Sequence, residues 1–297
     1  MKTGLIKWIL IFCEEHIFSH IPDEQWLKIE YRIRVRKHLN LENPKTFNEK
    51  IQWLKIHDRQ PQYTMLADKY LVKKYVSQKL GEQYVIPTLG VWDSFEKIDF
   101  DNLPKQFVLK CNHDSGGVYI CEDKEKLNVT KLRHVFTKEL KRDYYLHGRQ
   151  WVYHDIKRKI IAEKYLLEDI CEAGFINEIL DYKFMCFNGK CKYIFTCSER
   201  YSDDGLKVTF FDTKWNMLPF ERHYARSKKC IEPPQNLNKM IRMAEILAEG
   251  IKFIRVDFYE INREKIYFGE MTFYPGNGME EFRPDWWDYE LGKQLEI

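Results

Sequence analysis

The sequence predicts an α+β fold built on antiparallel hairpins rather than a doubly wound parallel sheet. Strand-like pairs recur with short turn-forming links, and the helical stretches do not alternate strictly with strands. No internal repeat, low-complexity run or long linker interrupts the 297 residues, a length that can bury a sizeable core and lies near the upper limit for one domain.

Residues 1–60 read as helical. The opening MKTGLIKWILIFCEEHIF starts like a signal peptide, but its apolar run is short, and Glu14 and Glu15 follow without a small-residue cleavage site. The run is also too short to span a bilayer. The expectation is an amphipathic helix docked on the body, with a membrane surface as the other placement. Apolar residues recur near helical period in 25–39 and 47–58. The cluster Arg32, Arg34, Arg36, Lys37, His38 reads as a solvated helix face ahead of a nucleic-acid site, with a cytoplasmic leaflet or an acidic glycan as further partner classes.

In 68-DKYLVKKYVSQKLGEQYVIPTLGVW-92 an acid starts a helix, Gly81 stops it, and an apolar strand runs through Val85 and Ile86 to Pro87. Residues 105–123 read as a hairpin around a small polar loop. A helical stretch fills about 125–150, and 159–167 is a buried strand ending in charge. Hairpins follow at 181–197, turning at Asn188-Gly189, and at 207–220, turning near Thr213 and Lys214. A helix covers about 235–250. Strands at 253–261 and 266–272, joined by 261-INREK-265, complete the pattern.

With 48 basic and 45 acidic side chains the formal balance is +3, which argues against a dedicated nucleic-acid binder. The eight cysteines include no C-x-x-C pair, so spacing offers no zinc site. Cys186, Cys191 and Cys197 read as small core residues, and the chain as reduced and cytoplasmic.

Three constellations carry chemistry. Lys69 follows Asp68 at a helix start, where backbone N–H groups favour an anion. Lys110 closes an apolar strand directly before 112-NHDSGG-117, whose glycines let a phosphate approach the backbone. By itself this loop is equally an ordinary hairpin with a snorkelling lysine. His113 reads first as a loop residue and second as an acid–base group.

Asp257 and Glu270 can be brought side by side by their hairpin, and two carboxylates at one sheet end repel unless a cation sits between them. Hard oxygen ligands of this kind suit Mg²⁺. Arg255 shares the face of Asp257, so an Arg–Asp–Glu salt-bridge cluster is the competing reading. Finally, Glu163 and Lys164 interrupt an apolar strand where its backbone could pair with a flat polar ring.

In this order the pieces resemble the ATP-grasp superfamily, and within it the TupA-like group of the teichuronopeptide-biosynthesis type, found in bacterial cell-surface polysaccharide loci. The matching phrases are 81-GEQYVIPTLGVW-92, 103-LPKQFVLKCNHDSGG-117, 181-DYKFMCFNGK-190 and 267-YFGEMTFYPGNGMEEFRPDWWDYELG-292, and the resemblance covers roughly 45–295. It implies two antiparallel-sheet subdomains clamping a nucleotide. A helical region (1–60) would precede an ATP-grasp domain (61–297), divided into a lid at about 105–165 and a larger metal-binding part at about 166–297.

Carried over by residue, the resemblance makes Lys69 and Lys110 the phosphate-holding lysines. His113, Asp114, Ser115, Gly116 and Gly117 become the mobile loop. Glu163, Lys164, Tyr165 and Leu166 become the adenine linker, with Glu168 or Asp169 on the ribose. Lys183 is a further basic group near the phosphates, Asp257 and Glu270 are the magnesium ligands, and Arg255 stabilises the charged intermediate. Many members carry Asn where this chain has Thr272, so Thr272 or Asn277 would complete a second metal. The usual pre-ATP domain is replaced by short helices.

The resemblance implies an ATP- and Mg²⁺-dependent carboxylate–amine ligase working through an acyl phosphate. Its substrates would be sugar- or glycan-linked, and its product an amino-acid or amide decoration on capsule or O-antigen. The expected location is the cytoplasm, with peripheral contact at the inner membrane face as the alternative. Two rival readings stand beside it. One is a glycosyltransferase of the same pathway. The other is a non-catalytic nucleotide-binding scaffold that uses Phe282, Trp286, Trp287 and Tyr289, aromatics that otherwise read as core and edge packing.

Overall fold

A computed structural model describes residues 18–167, 179–199, 202 and 205–297. The expected helix within residues 1–17 and the expected ribose ligand, Glu168 or Asp169, lie outside the described residues.

Each of two antiparallel sheets has an apolar face sealed by a helix. The larger has the order β10-β9-β5-β6-β7, from β5 (Asp181–Phe187), β6 (Lys190–Ser198), β7 (Lys207–Asp212), β9 (Phe253–Ile261) and β10 (Lys265–Thr272). Side chains alternate across a strand, so Phe184, Val256 and Phe258 point to one face. There they join Met240, Met243, Ala244 and Leu247 of α6 (Leu237–Leu247), spaced as one stripe of a helix. Each of the larger buried side chains in this set contributes about 1.5–3 kcal/mol.

The opposite face is divided. At one end Phe187 and Phe253 are covered by Phe47 of α2 (Phe47–His57), with ring centroids 5.9 and 5.0 Å apart. At the other end the register sets Lys183, Asp257 and Glu270 in one row across β5, β9 and β10.

The smaller sheet has the order β1-β4-β2-β3, from β1 (Thr88–Trp92), β2 (Phe107–Cys111), β3 (Val118–Cys121) and β4 (Ile160–Lys164). Phe107, Leu109, Ile160 and Ala162 pack against Leu132 and Phe136 of α5 (Val129–Lys141). On the other face Val108 pairs with Glu163, and Lys110 with Ile161. A short pair, β8 (Glu221–Arg222) and β11 (Phe282–Arg283), completes the sheets.

Among the described residues, α1 (Asp23–Arg34), α2, α3 (Pro61–Ala67) and α4 (Val72–Leu80) precede β1, and α7 (Trp286–Gln294) ends the chain. Thr46 and Glu49 cap α2 reciprocally. In the N-terminal region, α2 packs on α7. Its Asn48 backbone and side-chain N–H groups both donate to Asp288, at 2.9 Å each.

Two elements differ from expectation. The strand predicted over Val85–Pro87 begins only at Thr88, because a 3₁₀ turn at Glu82–Tyr84 follows Gly81 and Val85 bridges Phe268 instead. The helix predicted over 125–150 is confined to Val129–Lys141; the chain leaves helical geometry at Arg142 and continues through 3₁₀ turns at Tyr144–Leu146 and Trp151–Tyr153. The hairpin at 181–197 turns where expected, with Asn188 and Gly189 at φ 48° and 79°, a left-handed pair that suits this tight link. Phe282 is buried and Trp287 stacks on Phe220 at 4.5 Å, whereas Trp286 and Tyr289 are exposed. Cys111, Cys121, Cys186, Cys191, Cys197 and Cys230 are free thiols. No described helix is long and apolar enough to cross a membrane.

Candidate active site

Sheet register explains the acid at the end of β10. Glu270 is the cross-strand partner of Asp257, and Arg255 lies opposite Thr272. The Arg255 guanidinium donates from Nε to Asp257 Oδ1 at 2.7 Å, and from Nη2 to Asp257 Oδ2 at 2.7 Å and Glu270 Oε1 at 2.5 Å. Thr272 Oγ1 donates to the same Glu270 oxygen at 3.1 Å. Lys183 reaches Asp257 at 2.5 Å and Asp181 at 2.8 Å. Burial acts to raise the Glu270 pKa, but Arg255, then Lys183 and Lys69, outweigh it and hold the carboxyl down at about 2. Burial would lower Lys183, yet Asp257 and Asp181 keep it above its ordinary value.

The glycine loop is stapled to the start of α4. Lys69 Nζ donates to the Asp114 carbonyl and lies 3.2 Å from Asp114 Oδ1. Asn112, fully buried, donates to Asp68 at 2.8 Å and accepts from the Lys159 N–H at 2.7 Å. Asp68 in turn accepts from the Tyr70 and Leu71 N–H groups. His113 is buried against the Glu139 carbonyl of α5 at 3.2 Å, which turns its ring into the packing rather than into the loop opening.

On the smaller sheet, Glu163 sits between Lys110 at 2.6 Å and Lys73 at 2.5 Å. Its burial works against ionisation, but the two lysines more than offset that and hold its carboxyl below the usual range. The Glu163 carboxylate is thus a tether for cations, and only its backbone remains for a planar ring. Lys164 is exposed, and Tyr165 and Leu166 are half-buried at the end of β4.

A cleft of about 330 Å³ joins the glycine loop to the acid row, lined by Ser115 on one side and by Arg255, Glu270 and Thr272 on the other. Asn277 also lines it, from the turn Pro275–Gly278.

Residues 49–296 match the family model for TupA-like ATP-grasp proteins. The chain belongs to this family. No curated protein matches it in sequence. Among solved structures, this TupA-like chain is similar to D-alanine–D-alanine ligase from Bacillus anthracis complexed with ATP, at 18% identity and TM-score 0.42, covering 70% of this chain and 55% of that one. It is also similar to an ADP complex of N5-carboxyaminoimidazole ribonucleotide synthetase, at 14% identity and TM-score 0.42, covering 76% and 50%. A third is the biotin carboxylase domain of 2-oxoglutarate carboxylase from Hydrogenobacter thermophilus with MgADP, at 16% identity and TM-score 0.42, covering 70% and 40%. The chain therefore spans about half the length of these structures or less.

The donor set fits a hard divalent cation best at Glu270. Its side chain is 33% exposed, with the Thr272 hydroxyl as a further oxygen beside it and Arg255 on Oε1, while Asp257 is buried with both oxygens taken by Arg255 and Lys183. Among the described residues, no group of three or more His, Cys, Asp and Glu side chains is placed to hold a metal alone. Asn277 does not complete the set as expected, because its Oδ1 accepts from Lys55 Nζ at 2.7 Å.

Sequence reasoning did not single out Lys73, Asn112, Lys55, Tyr144 or His147 for the site. Lys73 lies four residues after Lys69, a spacing that could have flagged it. Tyr144 lines the cleft together with Ser115. Arg34, read as part of a solvated face, reaches the cleft rim while its Nε pairs with buried Glu30 at 2.8 Å.

Proposed function

We propose that this chain is an ATP- and Mg²⁺-dependent carboxylate–amine ligase that decorates a bacterial cell-surface polysaccharide with an amino acid or amide. The observation that carries the reading is the shared cleft, in which the glycine loop at Ser115 meets the Arg255–Glu270 pair. Membership of the ATP-grasp family and the nucleotide-bound structures similar to this fold support it. The glycan setting rests on the TupA-like likeness.

In this reading Lys69 and Lys110 bind phosphate oxygens, Ser115–Gly117 close over them, and β4 beyond Glu163 takes the adenine. A substrate carboxylate attacks the γ-phosphorus, the bond to the β-phosphate oxygen breaks, and ADP leaves. An amine then attacks the acyl carbon, gives up a proton, and phosphate departs. A magnesium ion held at Glu270, with Asp257 supplying charge behind it, would neutralise the transferring phosphoryl group. Arg255 does the same from a fixed, desolvated position, where charge stabilisation is strongest. Lys183 holds Asp257 in place and completes the positive side of the row.

The test is release of ADP from MgATP by the purified protein with no nucleotide sugar present, together with mass spectrometry of the surface glycan with and without the protein. ADP and phosphate formed with an added carboxylate and amine are the expected result. A product that forms only from a nucleotide sugar would favour the glycosyltransferase instead.

A further inference from the structure

The turn Pro275–Gly278 is gripped from α2 by two fully buried side chains. Gln52 Nε2 donates to the Asn277 carbonyl at 2.9 Å and to the Gly278 carbonyl at 2.7 Å. Lys55 Nζ donates to the Asn277 carbonyl at 2.9 Å, to the Gly148 carbonyl at 2.8 Å and to Asn277 Oδ1 at 2.7 Å. An ammonium has only donors, so the atom of the Asn277 carboxamide that meets it must be the oxygen. The amide NH₂ is thereby fixed on the other side.

Asn277 lines the cleft and is 8% exposed; its NH₂ is buried within the cleft wall and has no protein partner within hydrogen-bonding distance. It rests directly above Gly148, where a Cβ would come within 1.7 Å of Nδ2, and Gly148 is at φ +70°. A buried amide donor left without a partner is costly, yet two side chains and a glycine hold it there. Such an arrangement calls for an acceptor atom supplied by a ligand. Arg34, Arg255, His147 and His223 share the cleft with the carboxylates of Glu270 and Glu280.

We propose that Asn277 donates its amide N–H to a carboxylate oxygen of the acceptor substrate, with Lys55 as a positioning residue that fixes the donor without touching the ligand. The role assigned to the lobe rests on the ligase reading; the donor itself is tested separately.

Asn277→Asp keeps an oxygen for Lys55 and replaces the unpartnered donor with a carboxylate oxygen. Acetate and D-glucuronate serve as probes, titrated with and without MgATP into ¹⁵N-labelled protein. The side-chain amide pair of Asn277, assigned by its loss in Asn277→Asp, is expected to shift on carboxylate addition. The variant is expected to bind either probe at least tenfold more weakly, with thermal stability and ATP affinity unchanged. Lys55→Met, if folded, is expected to weaken carboxylate binding while leaving ATP binding intact. Unchanged carboxylate affinity in a folded Asn277→Asp, or no binding of either probe to the wild type in either condition, overturns the proposal. Failure of the wild type to bind ATP would instead count against the ligase reading, and the carboxylate titration would still decide the role of Asn277.

Discussion

On the smaller sheet one acid, Glu163, stands between Lys73 and Lys110, whereas on the larger sheet Asp181, Asp257 and Glu270 outnumber Lys183 and Arg255. Both faces lie opposite a helix-covered apolar face, so burial is similar and the sign of the surplus charge is what differs. A surplus of lysine suits a polyphosphate, and a surplus of carboxylate calls for a cation. The two also differ in rigidity. Glu163 and Asp257 are sealed between partners, while Glu270 keeps an open side toward the cleft. The closed acids hold their cations in place, and the open one keeps an accessible side.

The largest expected effect separates Glu270 from Asp257. Glu270→Gln and Asp257→Asn should each cut ADP release from MgATP by about 100-fold or more, since preorganised charge at the transferring group is removed. Asp257→Asn should also destabilise more than Glu270→Gln, because Asp257 bridges two buried cations, Lys183 and Arg255. Breaking a buried pair costs about 3–5 kcal/mol, which in a chain of this size lowers Tm by roughly 5–15 °C. Differential scanning calorimetry of both variants checks this, and equal losses of Tm would erase the distinction between the closed and the open acid.

A smaller effect is expected on the lysine-rich face. Lys110→Ala should weaken ATP binding by about 10-fold or more, the equivalent of one lost charge-assisted contact. Tm should hardly change, since Glu163 keeps Lys73 as a partner. Calorimetric titration with ATP reads the first quantity and thermal melting the second. A destabilised Lys110→Ala with wild-type ATP affinity would make this face a structural clamp and remove the contrast.

The two faces were not equally legible in the sequence. Asp257, Glu270 and Arg255 could be paired from text alone, because one hairpin with a short link fixes their register. Lys110 and Glu163 were noticed separately, but nothing in their spacing announces that they meet. Their strands are joined by about fifty residues whose path depends on tertiary packing. Lys55 was invisible for another reason. It sits in an amphipathic helix, where a lysine normally reads as exposed, and only the fold shows it fully buried under the Asn277 turn. Helix ends near Arg142 and the start of β1 were misplaced because 3₁₀ turns share their composition with the helices and strands beside them.

The smallest effect is a pH dependence that should differ between the two faces. Both Glu163 and Glu270 have folded pKa values below the ordinary 4.5. The folded chain therefore binds fewer protons than the unfolded chain in that range. Their stabilisation is fully present above pH 4.5 and is lost as pH falls, for Glu270 down toward about 2. Asp288, between α2 and α7, has the opposite sign. Burial raises it to about 6 against the Asn48 bonds, so its share of stability declines as pH rises from 3.8 to about 6. The acid limb must therefore be read as a difference between variants. Glu270→Gln should flatten the loss of stability between pH 5 and pH 3 by about 1 kcal/mol, after allowance for its partly exposed side chain. Lys110→Ala should flatten it less, because Lys73 still holds Glu163 ionised. Urea midpoints at pH 5 and pH 3 for wild type and both variants measure this. If Lys110→Ala flattened the curve more than Glu270→Gln, the stronger electrostatic anchor would lie on the lysine-rich face, and the division of labour between the sheets would have to be reversed.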